Sequence, residues 1–178
     1  DIPKHDGNIP IREAFLLGGG RLNPRAREAI ANSDYIIIGP GDLYTSIVPN
    51  LLCAGMVDAL RATRAKLIYV CNVMTKYGET GGFAVEDFLR VLEHHLGEGR
   101  IDYVLVNSGE LRPDLVEKYG TEGKSPVVLR DRDALVRKGV KLVERDFTSD
   151  TDYIRHDPRK LARTIQDFAS GWIKIGRA

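Results

Sequence analysis

Three short apolar runs constrain the fold of this chain more than any other feature. They lie at residues 35–38, 67–71 and 101–106, and each is followed by a polar or glycine-rich loop and then an amphipathic stretch. The runs are rich in β-branched residues and alternate little, which is typical of strands buried on both faces of a parallel sheet. Since such strands are joined to the next by right-handed helical crossovers, the pattern predicts an α/β fold with a doubly wound, mainly parallel sheet. Shorter runs predict further strands at 14–17, 126–129 and 140–143.

Spacing and capping residues predict the helices. An apolar stripe at helical spacing predicts a helix over 84–96, which Gly97 ends. Asp157 and Pro158 fit the N-cap and the first position of a last helix. The apolar face of that helix carries Leu161, Ile165, Phe168 and Trp172. Further helices are predicted at 24–33, 49–60 and 113–120.

Composition and charge exclude several classes of protein. The 178 residues contain no repeat or linker, so residues 1–178 are interpreted as a single α/β domain. The 26 basic and 25 acidic residues are spread along the chain, which gives no basic footprint for nucleic acid. No apolar stretch approaches the roughly 18 residues that a membrane span needs. Cys53 and Cys71 are not closely spaced, which favours free thiols and a cytoplasmic location.

A glycine-rich segment follows the first run. Residues 39–50 read GPGDLYTSIVPN and lead into a helix. Pro49 fits only in a first helical turn, which places the N-cap near Thr45 or Ser46. Glycines before a helix N-terminus form the local chemistry of a phosphate-binding loop, although the P-loop lysine and spacing are absent. An ordinary strand–turn–helix joint remains the alternative. The candidate ligand-binding residues are Gly39, Gly41, Asp42, Thr45 and Ser46.

A second polar segment, NVMTKYGETGG at 72–82, follows the second run. Ligands of open α/β sheets bind outside the carboxyl ends of the strands, where both segments are expected to lie. Its polar side chains suit a ribose, a sugar or a base edge, or else they cap their own backbone. The candidate residues are Asn72, Thr75, Glu79 and Thr80.

Three isolated residues complete the candidate site. Asn107 ends the third run, where a turn asparagine is an equally good interpretation. Tyr119 can stack on a base, and Arg155 can bind a phosphate with its forked guanidinium group, although each taken alone is more typical of a residue that packs at the surface. A group of polar residues at 150–157 matches no metal-ligand spacing, so no metal site is predicted, and no catalytic residue is assigned.

Four strings taken together resemble a known family. They are IIIGPGDLYTSIVPNLL, YVCNVMTKYGET, IDYVLVN and IRHDPRKLA, beginning at residues 36, 69, 101 and 154. In this order and spacing they are similar to the bacterial gluconeogenesis-factor family, within the superfamily of 2-phospho-L-lactate transferase.

This resemblance implies a Rossmann-like three-layer sandwich. It also implies a regulator that binds UDP-N-acetylglucosamine or UDP-glucose and is linked to carbon metabolism, cell shape and cell-wall synthesis. The GPGDLYTS loop would contact phosphates, and the NVMT and GET residues would contact the sugar or ribose. Tyr119 and Arg155 match positions that the family uses for the UDP-sugar.

The sequence also departs from the family pattern. Asp42 stands where the family usually has serine, and an acid beside phosphates is unfavourable unless it faces away or holds a cation. The family's GGGTG-type start is absent, so the chain is expected to be the C-terminal half of a larger Rossmann-like domain. Its upstream half is then an expected partner. A half domain would expose a sheet edge, which favours a homo-oligomer.

Three functions remain open at this point. The first is a regulator without turnover, which the NVMTKYGET string favours. The second is a transferase that moves a phospholactyl group from a guanosine diphosphate carrier to a deazaflavin, with Mg²⁺ and with Asp42 and Glu79 as metal or acid–base candidates. The third is a structural subunit whose site has decayed, against which the retained glycines and hydroxyls argue.

Overall fold

A four-stranded parallel sheet forms the centre of the protein, in a computed structural model that describes residues 6, 7 and 9–171. The register places Ile38 beside Tyr69 and Asn107 beside Arg145. Each strand overlaps one of the predicted apolar runs, which confirms the parallel α/β prediction. In spatial order the strands are β1 (Tyr35–Ile38), β2 (Lys66–Val70), β3 (Tyr103–Asn107) and β4 (Lys141–Arg145).

Helices surround this sheet, and several begin and end as predicted. The side chain of Asp157 accepts hydrogen bonds from the backbone N–H groups of Arg159 and Lys160, as an N-cap does. Gly97 ends the fourth helix. A π-helical turn at Leu43–Ile47 follows β1. The α-helices are α1 (Pro24–Asn32), α2 (Val48–Leu51), α3 (Met56–Ala62), α4 (Val85–Leu96), α5 (Pro113–Thr121), α6 (Arg132–Arg137) and α7 (Pro158–Ala169).

Both faces of the sheet are covered. Alternating residues of β2 point to opposite sides, since Leu67 and Tyr69 pack with α2, α3 and α4, whereas Ile68 and Val70 pack towards α7. On the α7 side the rings of Tyr103 and Phe168 meet edge to face, with centroids 4.7 Å apart. Helices on both faces make the three-layer sandwich that was predicted.

The strand order differs from a doubly wound sheet, because it does not reverse among the described strands. Crossovers that always step in the same direction place their helices on one face, as α3 and α4 lie here. Helix α7 follows the last strand and covers the other face. A doubly wound order needs strands on both sides of β1, and the described residues supply one side. Ile37 of β1, on the same face as Ile68, is 41% exposed, so α7 leaves this end of its face uncovered.

Two predicted strands are wrong. Pro126 makes one isolated bridge to Met74, and residues 127–129 continue as an extended connection, because no ladder extends beyond this single bridge. Residues 14–17 have no strand partner among the residues that the structure describes, and Phe15 and Leu17 are 70% and 90% exposed. Apolar composition predicted a strand there, but a strand also needs a hydrogen-bonded neighbour.

One helix prediction needs correction, and one helix was missed. The helix expected over 49–60 is divided, because α2 ends at Leu51 and Gly55, with φ of 83°, precedes α3. Helix α6 was not predicted, although Asp131 accepts a hydrogen bond from the Ala134 N–H group and caps it.

The apolar face of α7 is confirmed in part. Leu161 and Phe168 are buried, and Thr164 rather than Ile165 is buried between them. Trp172 lies outside the described residues. No helix in the described part of the chain is long and apolar enough to cross a membrane.

Candidate functional site

Two loops meet at the carboxyl edge of the sheet. The first loop, residues 39–47, leaves β1, and the second loop, residues 71–82, leaves β2. Because β1 is paired with β2 along its whole length, with Ile38 beside Tyr69, the two loops start side by side. This is the edge at which ligands of open parallel sheets bind.

The glycines of the first loop are required by its own packing. Gly39 has φ of 80°, and a Cβ atom there would lie 3.1 Å from the carbonyl oxygen of Val70. A Cβ atom on Gly41 would lie 3.2 Å from Cβ of Ser46. The close approaches that these glycines permit are therefore contacts within the protein. Whether they also admit a ligand stays a prediction.

The helical part of the first loop begins earlier than predicted. Its N-cap is Asp42 rather than Thr45 or Ser46, and the backbone N–H groups of Ser46 and Ile47 both donate to the Asp42 carbonyl, at 2.9 Å and 3.0 Å. The bond from the Ile47 N–H group to the Asp42 carbonyl spans five residues and so forms a π-helical turn. The sequence pattern did not predict this turn. Pro49 then falls in the first turn of α2, where its missing N–H group costs little.

Glu79 of the second loop binds the start of this helical segment. The Tyr44 N–H group donates to Oε2 of Glu79 at 3.1 Å, and Oγ1 of Thr45 donates to Oε1 at 3.0 Å. The Glu79 side chain is fully enclosed. A carboxylate of the protein therefore occupies the place at which the sequence suggested a phosphate.

Lys76 connects the two loops by charge. Its Nζ atom lies 2.8 Å from Oε1 of Glu79 and also pairs with the Asp42 carboxylate. Burial lowers the pKa of Lys76, but the hydrogen bonds to Asp42 and Glu79 outweigh it, so the pKa is raised and the ammonium group stays charged. Asp42 thus pairs with a cation of the protein itself, and whether a phosphate binds beside it stays a prediction.

Thr75 and Thr80 hold the second loop in shape. Oγ1 of Thr80 accepts from the Lys76 N–H group at 2.9 Å, and Oγ1 of Thr75 accepts from the Ser125 N–H group at 2.8 Å. Both threonines are 2% exposed. Asn72 differs, because its Oδ1 atom is buried and has no hydrogen-bond partner in the part of the chain described.

Asn107 has a structural role at the end of β3. Its Nδ2 group donates to the Gly109 carbonyl at 3.1 Å, and its Oδ1 atom accepts from the Phe147 N–H group at 2.8 Å. The side chain therefore joins β3 to the segment after β4. These bonds match the turn interpretation of this residue, and its role in ligand binding stays a prediction.

Tyr119 and Arg155 flank one small apolar cluster. The cluster contains Val73 of the second loop and Ile154, and the Tyr119 ring packs against it. Arg155 follows Ile154 directly and is exposed. The structure thus brings both residues to the side of the second loop.

A cavity of about 170 Å³ lies beside this cluster. Its walls include Leu115 of α5 and Tyr153, over whose ring the Arg155 guanidinium lies at 4.9 Å. Within the described ranges, no group of three or more His, Cys, Asp or Glu side chains is placed to hold a metal ion.

The comparison with protein families decides the membership of this chain. A family model described as 2-phospho-L-lactate transferase CofD matches residues 1–148. The chain belongs to the CofD family. The resemblance identified from the four strings is thereby confirmed.

Named relatives of this CofD-family chain are similar over most of its length. The gluconeogenesis factor of Halalkalibacterium halodurans is 38% identical over 90% of this chain, and that of Bacillus subtilis is 39% identical over 81%. The chain spans 54% and 45% of those two proteins. A solved structure of an upf0052-family member from Bacillus halodurans is 35% identical, with a TM-score of 0.77 over 82% of this chain and 46% of that one.

Sequence reasoning missed two residues that hold the segments of the candidate site together. Lys76 joins both loops, and no local pattern in the sequence marks it, because its partners Asp42 and Glu79 lie in different loops. His156 donates from Nε2 to the Cys71 carbonyl at 3.1 Å, since a carbonyl oxygen can only accept. This bond ties the segment that carries Arg155 to the end of β2. The signal for His156 was its place in the string IRHDPRKLA.

Proposed function

We propose that the full-length protein containing this chain binds a nucleotide sugar of the UDP-N-acetylglucosamine and UDP-glucose class, and acts as a cytoplasmic regulator without turnover. The observation that carries this proposal is the convergence of the first loop, the second loop and the Tyr119–Arg155 region at one edge of the sheet. The name gluconeogenesis factor, borne by its relatives, supports a link to carbon metabolism. Roles in cell shape and cell-wall synthesis belong to the same proposal.

The diphosphate is assigned to the exposed polar groups of this edge. The Arg155 guanidinium is exposed and can bind two phosphate oxygens at once. Ser46, in the π-helical turn of the first loop, is also exposed. The enclosed Glu79 carboxylate fixes the first loop from behind, so its part in binding is to preorganise that loop.

The base and ribose are assigned to Tyr119 and Asn72. The half-buried Tyr119 ring is held by the apolar cluster and by Lys124, whose Nζ atom lies 5.2 Å from its centroid, so an aromatic base can stack on it. The buried Oδ1 atom of Asn72 lacks a donor, and leaving a buried acceptor unsatisfied costs about 1–3 kcal/mol. A ligand hydroxyl or ring N–H group that reaches it after a small opening of the second loop would recover this energy.

Turnover is not part of the proposal because both candidate acids have partners. Glu79 is committed to Tyr44 and Thr45, and Asp42 to Lys76. General acid–base catalysis requires a carboxyl group that reaches the reacting atom. The alternative, a phospholactyl transferase that uses a guanosine diphosphate carrier and Mg²⁺, is favoured by the description of the matching family. It predicts tight binding of GDP.

Calorimetric titration of the full-length protein with UDP-N-acetylglucosamine and with GDP separates these functions. We expect the UDP-sugar to bind, Tyr119→Ala and Arg155→Glu to weaken it at least about ten-fold, and Tyr119→Phe to retain it. Arg64→Glu, at an exposed arginine before the amino end of β2, is the matched control and should leave the affinity unchanged. Binding of GDP alone would favour the transferase, and binding of neither nucleotide would contradict both.

A further inference from the structure

Lys76 lies between two carboxylates that differ in their surroundings. Glu79 is fully enclosed and accepts hydrogen bonds from Tyr44 and Thr45, so it is needed to hold the first loop. Asp42 is 40% exposed, and its side chain makes no hydrogen bond to the helical segment that it precedes. Its carboxylate pairs instead with Lys76.

The ammonium group of Lys76 is available to a ligand if Asp42 moves. The Lys76 side chain is 36% exposed, at the junction of the two loops. An ion pair between partly exposed groups is weak, and an anion that carries more charge than a carboxylate competes with it. Lysine acts as a point charge and binds phosphate oxygens without demanding one geometry.

We propose that Lys76 is a phosphate-binding residue of this edge, and that Asp42 is a competing anion which the ligand phosphate displaces. This inference rests on the proposed nucleotide-sugar site and adds a residue to it. In the unliganded protein Asp42 pairs with Lys76, beside Glu79, and joins the two loops. When a diphosphate enters, Lys76 exchanges one oxygen partner for another, while Glu79 keeps its bonds to the first loop. Asp42 then lowers the affinity for any phosphorylated ligand, because its charge remains close to the phosphates.

The two roles predict opposite effects of substitution. Asp42→Ser removes the competitor, so the affinity for UDP-N-acetylglucosamine and for inorganic pyrophosphate should rise about three- to ten-fold. Lys76→Gln removes the cation, so both affinities should fall about ten-fold, and their dependence on salt should weaken. Asp34→Ser removes the same charge from an exposed residue before the amino end of β1 and should change neither affinity.

Calorimetric titration of the full-length protein and these variants, with thermal melts to establish that each is folded, tests the inference. An unchanged or lower affinity of Asp42→Ser, or an unchanged affinity of folded Lys76→Gln, would overturn it and leave the pair as a structural link. If the wild type binds pyrophosphate with the predicted pattern but binds no UDP-sugar, the nucleotide-sugar proposal fails while the role of Lys76 stands. If neither the wild type nor Asp42→Ser binds either probe, both fail.

Discussion

The carboxylate of Glu79 accepts a hydrogen bond at 3.1 Å from the backbone N–H group of Tyr44, which lies 35 residues earlier in the chain. This contact joins the loop that leaves β1 to the loop that leaves β2. It also neutralises the start of a helical segment with a group of the protein itself. The loops therefore keep their mutual position without a ligand, and the groups left for a ligand are those around them.

Loss of the Glu79 carboxylate should destabilise the protein strongly. Glu79→Ala leaves the Tyr44 N–H group and the Thr45 hydroxyl without their acceptor and removes one partner of Lys76, so we expect the free energy of unfolding to fall by about 2–4 kcal/mol. Urea denaturation measures it. Glu98→Ala, at an exposed glutamate in the turn after α4, should change it by less than about 0.5 kcal/mol. Equal effects of the two substitutions would contradict the role given to Glu79.

The energetic cost of a side chain at Gly39 can be measured by comparison with a second glycine, Gly82, which also has a positive φ. Gly39→Ala meets an unfavourable positive φ and places Cβ 3.1 Å from the Val70 carbonyl oxygen, whereas Gly82→Ala has φ of 71° and no atom within 4 Å. We expect Gly82→Ala to cost about 1 kcal/mol and Gly39→Ala at least about 1 kcal/mol more. The difference between the urea midpoints of the two variants measures the cost of the contact with Val70. A Gly39→Ala variant as stable as Gly82→Ala would show that the end of β2 moves away from the new Cβ atom at no cost in stability.

The two cysteines should differ in reactivity. Burial raises the pKa of the Cys71 thiol to about 12, so almost no thiolate forms at neutral pH, whereas Cys53 is half-buried. Iodoacetamide at pH 8 should modify Cys53 in the folded protein and Cys71 only after unfolding. Mass spectrometry of the digested protein measures both rates. Similar rates in the folded state would contradict the burial of Cys71.

His156 should titrate below the ordinary range of histidine. Burial lowers its pKa, and the hydrogen bond to the Cys71 carbonyl offsets this in part. The unfolded chain then binds a proton more readily, so stability is full above the unfolded pKa of about 6.5 and is lost as pH falls towards the folded pKa. His156→Gln, which retains an N–H donor, should reduce this loss. NMR titration of the His156 ring measures the pKa directly, and a midpoint at or above about 6.5 would be inconsistent with this account.

The sequence predicted those elements that have a local signature. The β-branched runs predicted strands β1 to β4, and Asp157 predicted the start of α7. The sequence could not predict the π-helical turn at Leu43–Ile47. A hydrogen bond between residues five apart in the chain has no characteristic pattern of residue types. The sequence also predicted a strand at 126–129, because apolar content alone does not reveal whether a neighbouring strand exists.

For the candidate site, the sequence predicted the two loops and not the bonds between them. Glu79 and Thr45 were each predicted as ligand groups, yet in the structure they bind each other. Such a pairing depends on the side-by-side start of the loops, which only the sheet register determines. Lys76 was missed for the same reason, since its partners lie in both loops.

The most direct test of the central claim is a crystal structure of the full-length protein with UDP-N-acetylglucosamine. We predict that the diphosphate lies at the carboxyl edge of the sheet, in contact with Lys76 and Arg155, with the uracil against Tyr119 and Glu79 still bonded to Tyr44. A ligand bound away from both loops would contradict the account. So would a diphosphate that replaces Glu79 at the Tyr44 N–H group.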